Sequence, residues 1–121
     1  MLFRSPMSQY LSTERRGPVT VVRILWEKVS SRESEILLPE ILAAATATPM
    51  RLVIDLSQVG LLASPGLGML ITIHKRAGES GGRLVVTGLS QAIFDVLRLT
   101  RLDRLLTIEA SFDSAVTKAG A

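Results

Sequence analysis

The stretch RLVIDLSQVGLLASPGLGMLITIHKRAGESGGRLVVT, residues 51–87, sets two short apolar runs on either side of a helix-length segment. Arg51–Leu56 (RLVIDL) is apolar without alternation, as expected of a central parallel strand covered on both faces. Ser64-Pro65 is a helix-start pair, a capping hydroxyl followed by a first-turn proline. Leu67, Leu70, Ile71 and His74 then fall on one helical face, and Glu79-Ser80-Gly81-Gly82 closes the helix. Arg83–Thr87 (RLVVT) is the next strand.

The same alternation of strand and helix continues outward in both directions. Upstream, Val19–Leu25 (VTVVRIL) is β-branched and nearly continuous, so it reads as a buried strand. A weaker strand over Ser8–Glu14 precedes it, joined by a turn at Arg16-Gly17-Pro18. Ser30 and Glu33 fit a capping box, and Leu38, Ile41, Leu42 and Ala45 carry the buried face of the helix that follows. Pro39 implies a kink or a later helix start, and Thr46–Pro49 ends the segment. Downstream, Ser90 caps a helix through Leu97, Leu105–Ile108 makes a short strand, and Ser111 caps a final helix to about Lys118. The order β-β-α-β-α-β-α-β-α is that of an α/β domain with a mixed sheet of four to five strands. Residues 1–7 read as a flexible tail and residues 8–121 as one domain, a length that folds without staples.

Composition removes several function classes. The chain has no cysteine and one histidine, His74, so neither disulfides nor thiolate or histidine-rich metal sites are expected. A net charge of +3 with 4% aromatic residues gives no basic stripe interleaved with stacking rings, so nucleic-acid binding is not expected. The opening Met1-Leu2-Phe3-Arg4-Ser5-Pro6 is too short an apolar run for a signal peptide, and no window approaches the ~18 apolar residues of a membrane span. A cytoplasmic protein with no direct membrane insertion is the expectation.

Catalytic patterns also fail. Ser64 has Gly66 but Leu62 where a serine-hydrolase elbow needs its first glycine. Gly66-Leu67-Gly68 lacks the third glycine of a dinucleotide loop, and no phosphate-cradling lysine motif occurs. Asp55 lies inside its strand with no acidic pair after Val21–Leu25, unlike a phosphate-accepting receiver. It reads instead as a buried carboxylate bonded to loop amides. His74 reads as a structural histidine without an orienting partner, and Trp26 as a core or rim residue. No catalytic residue, metal or cofactor is expected. What remains is Leu61–Gly68 (LLASPGLG), where two glycines in the first turns of a helix, at ~1 kcal/mol each relative to alanine, point to close approach by something.

The stretch Arg51–Val116 resembles the core of the STAS family, whose best-known members are bacterial anti-sigma factor antagonists. Matching positions include Asp55, Leu56, Val59, Ser64, Gly66, Leu67, Gly68, Gly81, Gly82, Leu89, Val96, Leu97, Leu102, Asp103 and Ala115. Ala63 stands where the family pattern has aspartate, Pro65 where it has Ser/Thr, and Val29 about where many members carry an aspartate.

The resemblance implies a STAS fold and a non-enzymatic signalling domain that binds a protein partner, an anti-sigma factor serine kinase above all. It implies Ser64 as the phosphorylated residue. Ala63, Ser64, Pro65, Gly66, Leu67 and Gly68, with Trp26, Glu27, Lys28 and Val29 of the loop after the second strand, are implied as the partner-binding surface. A monomer or weak dimer is expected. The alternative is an unphosphorylated STAS scaffold or a transporter-associated subunit.

Overall fold

A computed structural model describes residues 10–121. The expected tail over residues 1–7, and Ser8 at the start of the first expected strand, lie outside the described residues. Strand β1 (Leu11–Arg16) turns at Gly17, where φ is +59°, and returns antiparallel as β2 (Val19–Ile24). Strands β4 (Arg51–Asp55), β6 (Arg83–Thr87) and β7 (Thr107–Ile108) then add in parallel, giving the order β1-β2-β4-β6-β7. The expected mixed sheet is present, with one antiparallel edge. A second ladder, β3 (Lys28–Val29) against β5 (Leu61–Leu62), is parallel and only two residues long.

Helices α1 (Ser31–Ala44), α2 (Ser64–Glu79) and α3 (Gln91–Leu99) contribute to one core with the even-numbered sheet residues Val22, Ile24, Leu52, Ile54, Leu84 and Val86. Helix α5 (Phe112–Gly120) covers the odd-numbered Val19, Val21, Val53 and Val85 with Ala115 and Ala119. Both faces of the central strands are therefore dry, which is why their sequences do not alternate. Each fully buried aliphatic side chain stabilises by about 1.5–3 kcal/mol.

The helix faces are rotated from the expected ones. In α1 the fully buried residues are Leu37 and Ile41, whereas Leu38 and Leu42 are only half-buried. Helix α1 runs through Pro39, which sits exposed in its second half. In α2 the core face is Gly66, Leu67, Met69, Leu70, Ile73 and Ala77, and Ile71 and His74 lie at its margin. The last strand is shorter than Leu105–Ile108 because a single turn, α4 (Leu102–Leu105), occupies its start.

The capping box at α1 is present. The Glu33 carboxylate accepts the Ser30 hydroxyl at 2.6 Å and the Ser30 amide at 2.9 Å, and these bonds hold its pKa below the ordinary 4.5. A folded-state value below the unfolded one means the stabilisation is complete above pH 4.5 and lost as pH falls through the folded value. Thermal melts of wild type and Glu33→Gln should therefore differ at pH 7 and converge as the pH falls below 4.5.

Candidate partner-binding site

The β3–β5 ladder zips the loop after β2 onto the approach to α2. Beyond the paired Lys28–Leu61 and Val29–Leu62, the Gly60 and Leu61 amides donate to the Glu27 carbonyl at 2.7 and 3.0 Å. The Ala63 amide donates to the Val29 carbonyl at 2.9 Å. Ala63 is held extended by that bond (φ −80°, ψ 171°), and its own carbonyl accepts from Gly66 at 2.8 Å and Leu67 at 3.1 Å. The helix thus begins at Ser64.

This corrects the expectation that Ser64 caps the helix. The N-cap is Ala63, Ser64 is the first helical residue and Pro65 the second. The pairing of Ala63 with Val29 sets the boundary one residue earlier than the Ser-Pro pair suggests, so no side chain caps α2. The aspartate of the family pattern falls on this N-cap position. Ala63→Asp should therefore raise stability by about 1 kcal/mol, since its extended backbone suits a capping carboxylate. A rise of roughly 3–5 °C in melting temperature measures it, and no rise would mean that the helix end is satisfied otherwise.

Ser64 is exposed, and among the described residues its hydroxyl makes no hydrogen bond. Pro65, Gly68, Glu27 and Lys28 are exposed around it, while Ala63 and Trp26 are half-buried. Val29, Gly66 and Leu67 are buried and shape the surface only from beneath. The two glycines have different causes. A Cβ on Gly66 would meet Leu62 Cδ1 at 2.5 Å and Val29 Cγ1 at 3.2 Å, so its close approach is internal. A Cβ on Gly68 would meet nothing within 4 Å, leaving bare backbone toward the outside. Trp26 stacks on Tyr10 with ring centroids 3.8 Å apart, and the Arg32 guanidinium lies 5.9 Å from its ring centroid.

Asp55 lies behind the site, 5% exposed. Its Oδ1 accepts the Ser57 amide at 2.9 Å, as the expectation of loop-amide bonding requires, and its Oδ2 accepts Arg23 Nε at 2.8 Å. The ion pair with Arg23 is not visible in the sequence. It follows from the register that sets Arg23 beside Asp55 across β2 and β4. Gly88, at φ +76°, leaves the room that Asp55 Oδ1 and the Ser57 amide occupy.

Chemically the arrangement offers one exposed hydroxyl at the N-terminus of a 16-residue helix. That end carries about half a positive charge, which favours an anion there. Among the described residues no three His, Cys, Asp or Glu side chains converge as metal ligands, and no helix is long and apolar enough to cross a membrane.

Comparison with known proteins bears on this geometry. A family model described as "Mlab, STAS domain" matches residues 13–107. An anti-sigma-factor antagonist (STAS) domain protein from Planctomyces limnophilus superposes with a TM-score of 0.83 at 23% identity, covering 92% of this chain and 98% of its own. An anti-sigma factor antagonist from Mycobacterium paratuberculosis gives 0.81 at 26% identity, covering 98% and 100%. Murine Solute Carrier 26 family member A9, an anion transporter, gives 0.73 at 16% identity, with 88% of this chain matched to 18% of that one.

Proposed function

Because the chain belongs to the STAS domain family, we propose that it is an anti-sigma factor antagonist-like binding module of the cytoplasm, switched by phosphorylation of Ser64. The observation that carries this reading is the exposed Ser64 hydroxyl on the first residue of α2, which makes no hydrogen bond among the described residues. The partner proposed is an anti-sigma factor, in line with the similarity to the Mycobacterium paratuberculosis anti-sigma factor antagonist, and phosphorylation of Ser64 requires that partner to be a serine kinase as well. Its docking surface is Ser64, Pro65 and Gly68 with Glu27, Lys28 and the rim of Trp26, underlaid by Val29, Gly66 and Leu67.

A phosphoserine carries about −1.5 to −2 charges near neutrality. On the first residue of α2 that charge meets the positive helix end, so the fold tolerates it. The same charge opposes burial against a partner, because a poorly paired charge in an interface costs several kcal/mol. The switch therefore acts on binding and not on folding.

Incubation with ATP and an anti-sigma serine kinase from the same organism tests the reading by intact mass. Wild type should gain one phosphoryl group and Ser64→Ala none. The Ser64→Ala melt should match wild type within about 0.5 kcal/mol, since no cap is lost. Phosphorylation of Ser64→Ala would move the site elsewhere.

A second reading is a constitutive docking subunit of a transport assembly. Ala63 and Pro65, at positions where the family pattern carries Asp and Ser/Thr, favour it, as does the occurrence of the same fold within a murine anion transporter. Unmodified wild type throughout the kinase series would select this reading.

A further inference from the structure

Beyond the carboxyl ends of β6 and β7 lies a half-open cavity of about 500 Å³, walled by Leu89, Ser90, Phe94, Asp103, Ile108 and Glu109. Its volume is that of a small-molecule site, and its walls combine apolar surface with a few polar groups, as such sites do. Leu89 and Ile108 pack against the main core, so these walls are held in place.

The two carboxylates distinguish this cavity. Asp103 and Glu109 are both half-buried, and neither joins an ion pair among the described residues, where the pairs are Arg16–Glu14 and Arg23–Asp55. Both are held on fixed backbone. The Glu109 amide donates to the Val86 carbonyl at 3.0 Å, and its carbonyl accepts the Thr87 hydroxyl at 2.8 Å. Asp103 sits in α4, closed by the Leu106 amide on the Leu102 carbonyl at 2.8 Å. Two half-buried carboxylates that line one cavity without a cationic partner offer a ligand cation acceptors that no ion pair among the described residues engages. The Phe94 ring adds an apolar wall against which a ligand's stem can pack. The chain as a whole carries +3, so general attraction for cations does not account for an acidic cavity here.

We propose that this cavity binds an organic cation, an ammonium or guanidinium on an apolar stem, with Asp103 and Glu109 taking the charge and Phe94, Leu89 and Ile108 the stem. A free amine and a lysine or arginine side chain of a partner protein share this chemistry. The site is separate from Ser64 and stands whether or not Ser64 is phosphorylated.

Amide-shift titrations of the full chain test it with three probes: phenethylamine, its neutral twin phenethyl alcohol, and Nα-acetyl-arginine amide. Phenethylamine should give saturable shifts at Ser90, Phe94, Asp103 and Glu109, with the alcohol at least tenfold weaker. The double variant Asp103→Asn/Glu109→Gln should bind the amine at least tenfold more weakly. Tighter binding of the arginine derivative than of phenethylamine assigns the cation to a partner's side chain, and the reverse order assigns it to a free amine. Absence of saturable shifts, or equal binding of amine and alcohol to wild type, overturns the proposal without reference to any variant. Undiminished binding by a folded double variant overturns it as well.

Discussion

Gly82→Ala should lower the melting temperature by roughly 10 °C or more, from a loss of about 3 kcal/mol. The added methyl would overlap the Met50 carbonyl oxygen and sit 2.6 Å from the Met50 nitrogen, so backbone and not a flexible side chain must yield. Neither strand of chain is free to move. The Met50 amide donates to Ser80 Oγ at 2.8 Å, the Met50 carbonyl accepts the Arg83 amide at 2.8 Å, and the Gly82 amide donates to the Ala77 carbonyl at 2.9 Å. Separating the two segments breaks some of these bonds and disturbs the start of the β4–β6 ladder, where Arg51 pairs with Arg83. Against a total stability of about 5–15 kcal/mol such a loss is large. Gly78→Ala is the control, because its site is exposed, helical and open, and alanine there should stabilise by about 0.5–1 kcal/mol. A Gly82→Ala melt within two or three degrees of wild type would mean that the Met50 segment relaxes freely.

If Ser64 is the proposed switch, Ser64→Glu should fold normally and lose at least 100-fold in affinity for the proposed anti-sigma partner. Folding is preserved because an acid in the first turn of a helix gains about 0.3–1 kcal/mol from the free amides and the dipole. Binding suffers because Ser64 stands exposed beside Gly68, the barest part of the surface, and a close-fitting partner must strip water from the new carboxylate. An unpaired charge buried in this way costs several kcal/mol, and 1.4 kcal/mol is a factor of ten. Exposed Glu27 lies on the same surface and adds no compensation. Calorimetric titration of wild type, Ser64→Ala and Ser64→Glu separates charge from shape, with Ser64→Ala keeping wild-type affinity. Equal affinity for all three would remove the charge switch and leave the constitutive docking reading.

The parts of this fold that the sequence discloses are those decided by local burial. Arg51–Leu56 and Arg83–Thr87 read correctly because strands dry on both faces need continuous apolar residues, and Ser30 with Glu33 marks the helix start that α1 has. What was hidden depends on partners distant in the chain. The β3–β5 ladder is two residues long on each side, too short for any periodicity. Just past that ladder, the α2 N-cap is Ala63 and not Ser64, and Ala63 bonds Val29, more than thirty residues away. The buried face of α1 turned toward Leu37 because packing against α2 and the sheet, not spacing alone, selects among adjacent leucines. The Asp55–Arg23 pair needs the strand register. At the site, exposure separates Ser64 and Gly68 from Gly66, Leu67 and Val29, a division that family resemblance alone does not make.

The miniature ladder between Lys28–Val29 and Leu61–Leu62 has a thermodynamic consequence for recognition. Loops that fold onto a partner lose conformational freedom at the moment of contact, at about 1–2 kcal/mol per residue fixed. Here the segment from Glu27 to Val29 is already tied to Gly60, Leu61 and Ala63 by backbone bonds. That entropy is spent during folding, before any partner arrives. Association at this surface should then proceed as rigid-body docking, with little backbone displacement, and its rate should be set by orientation and charge and not by a search among loop conformers.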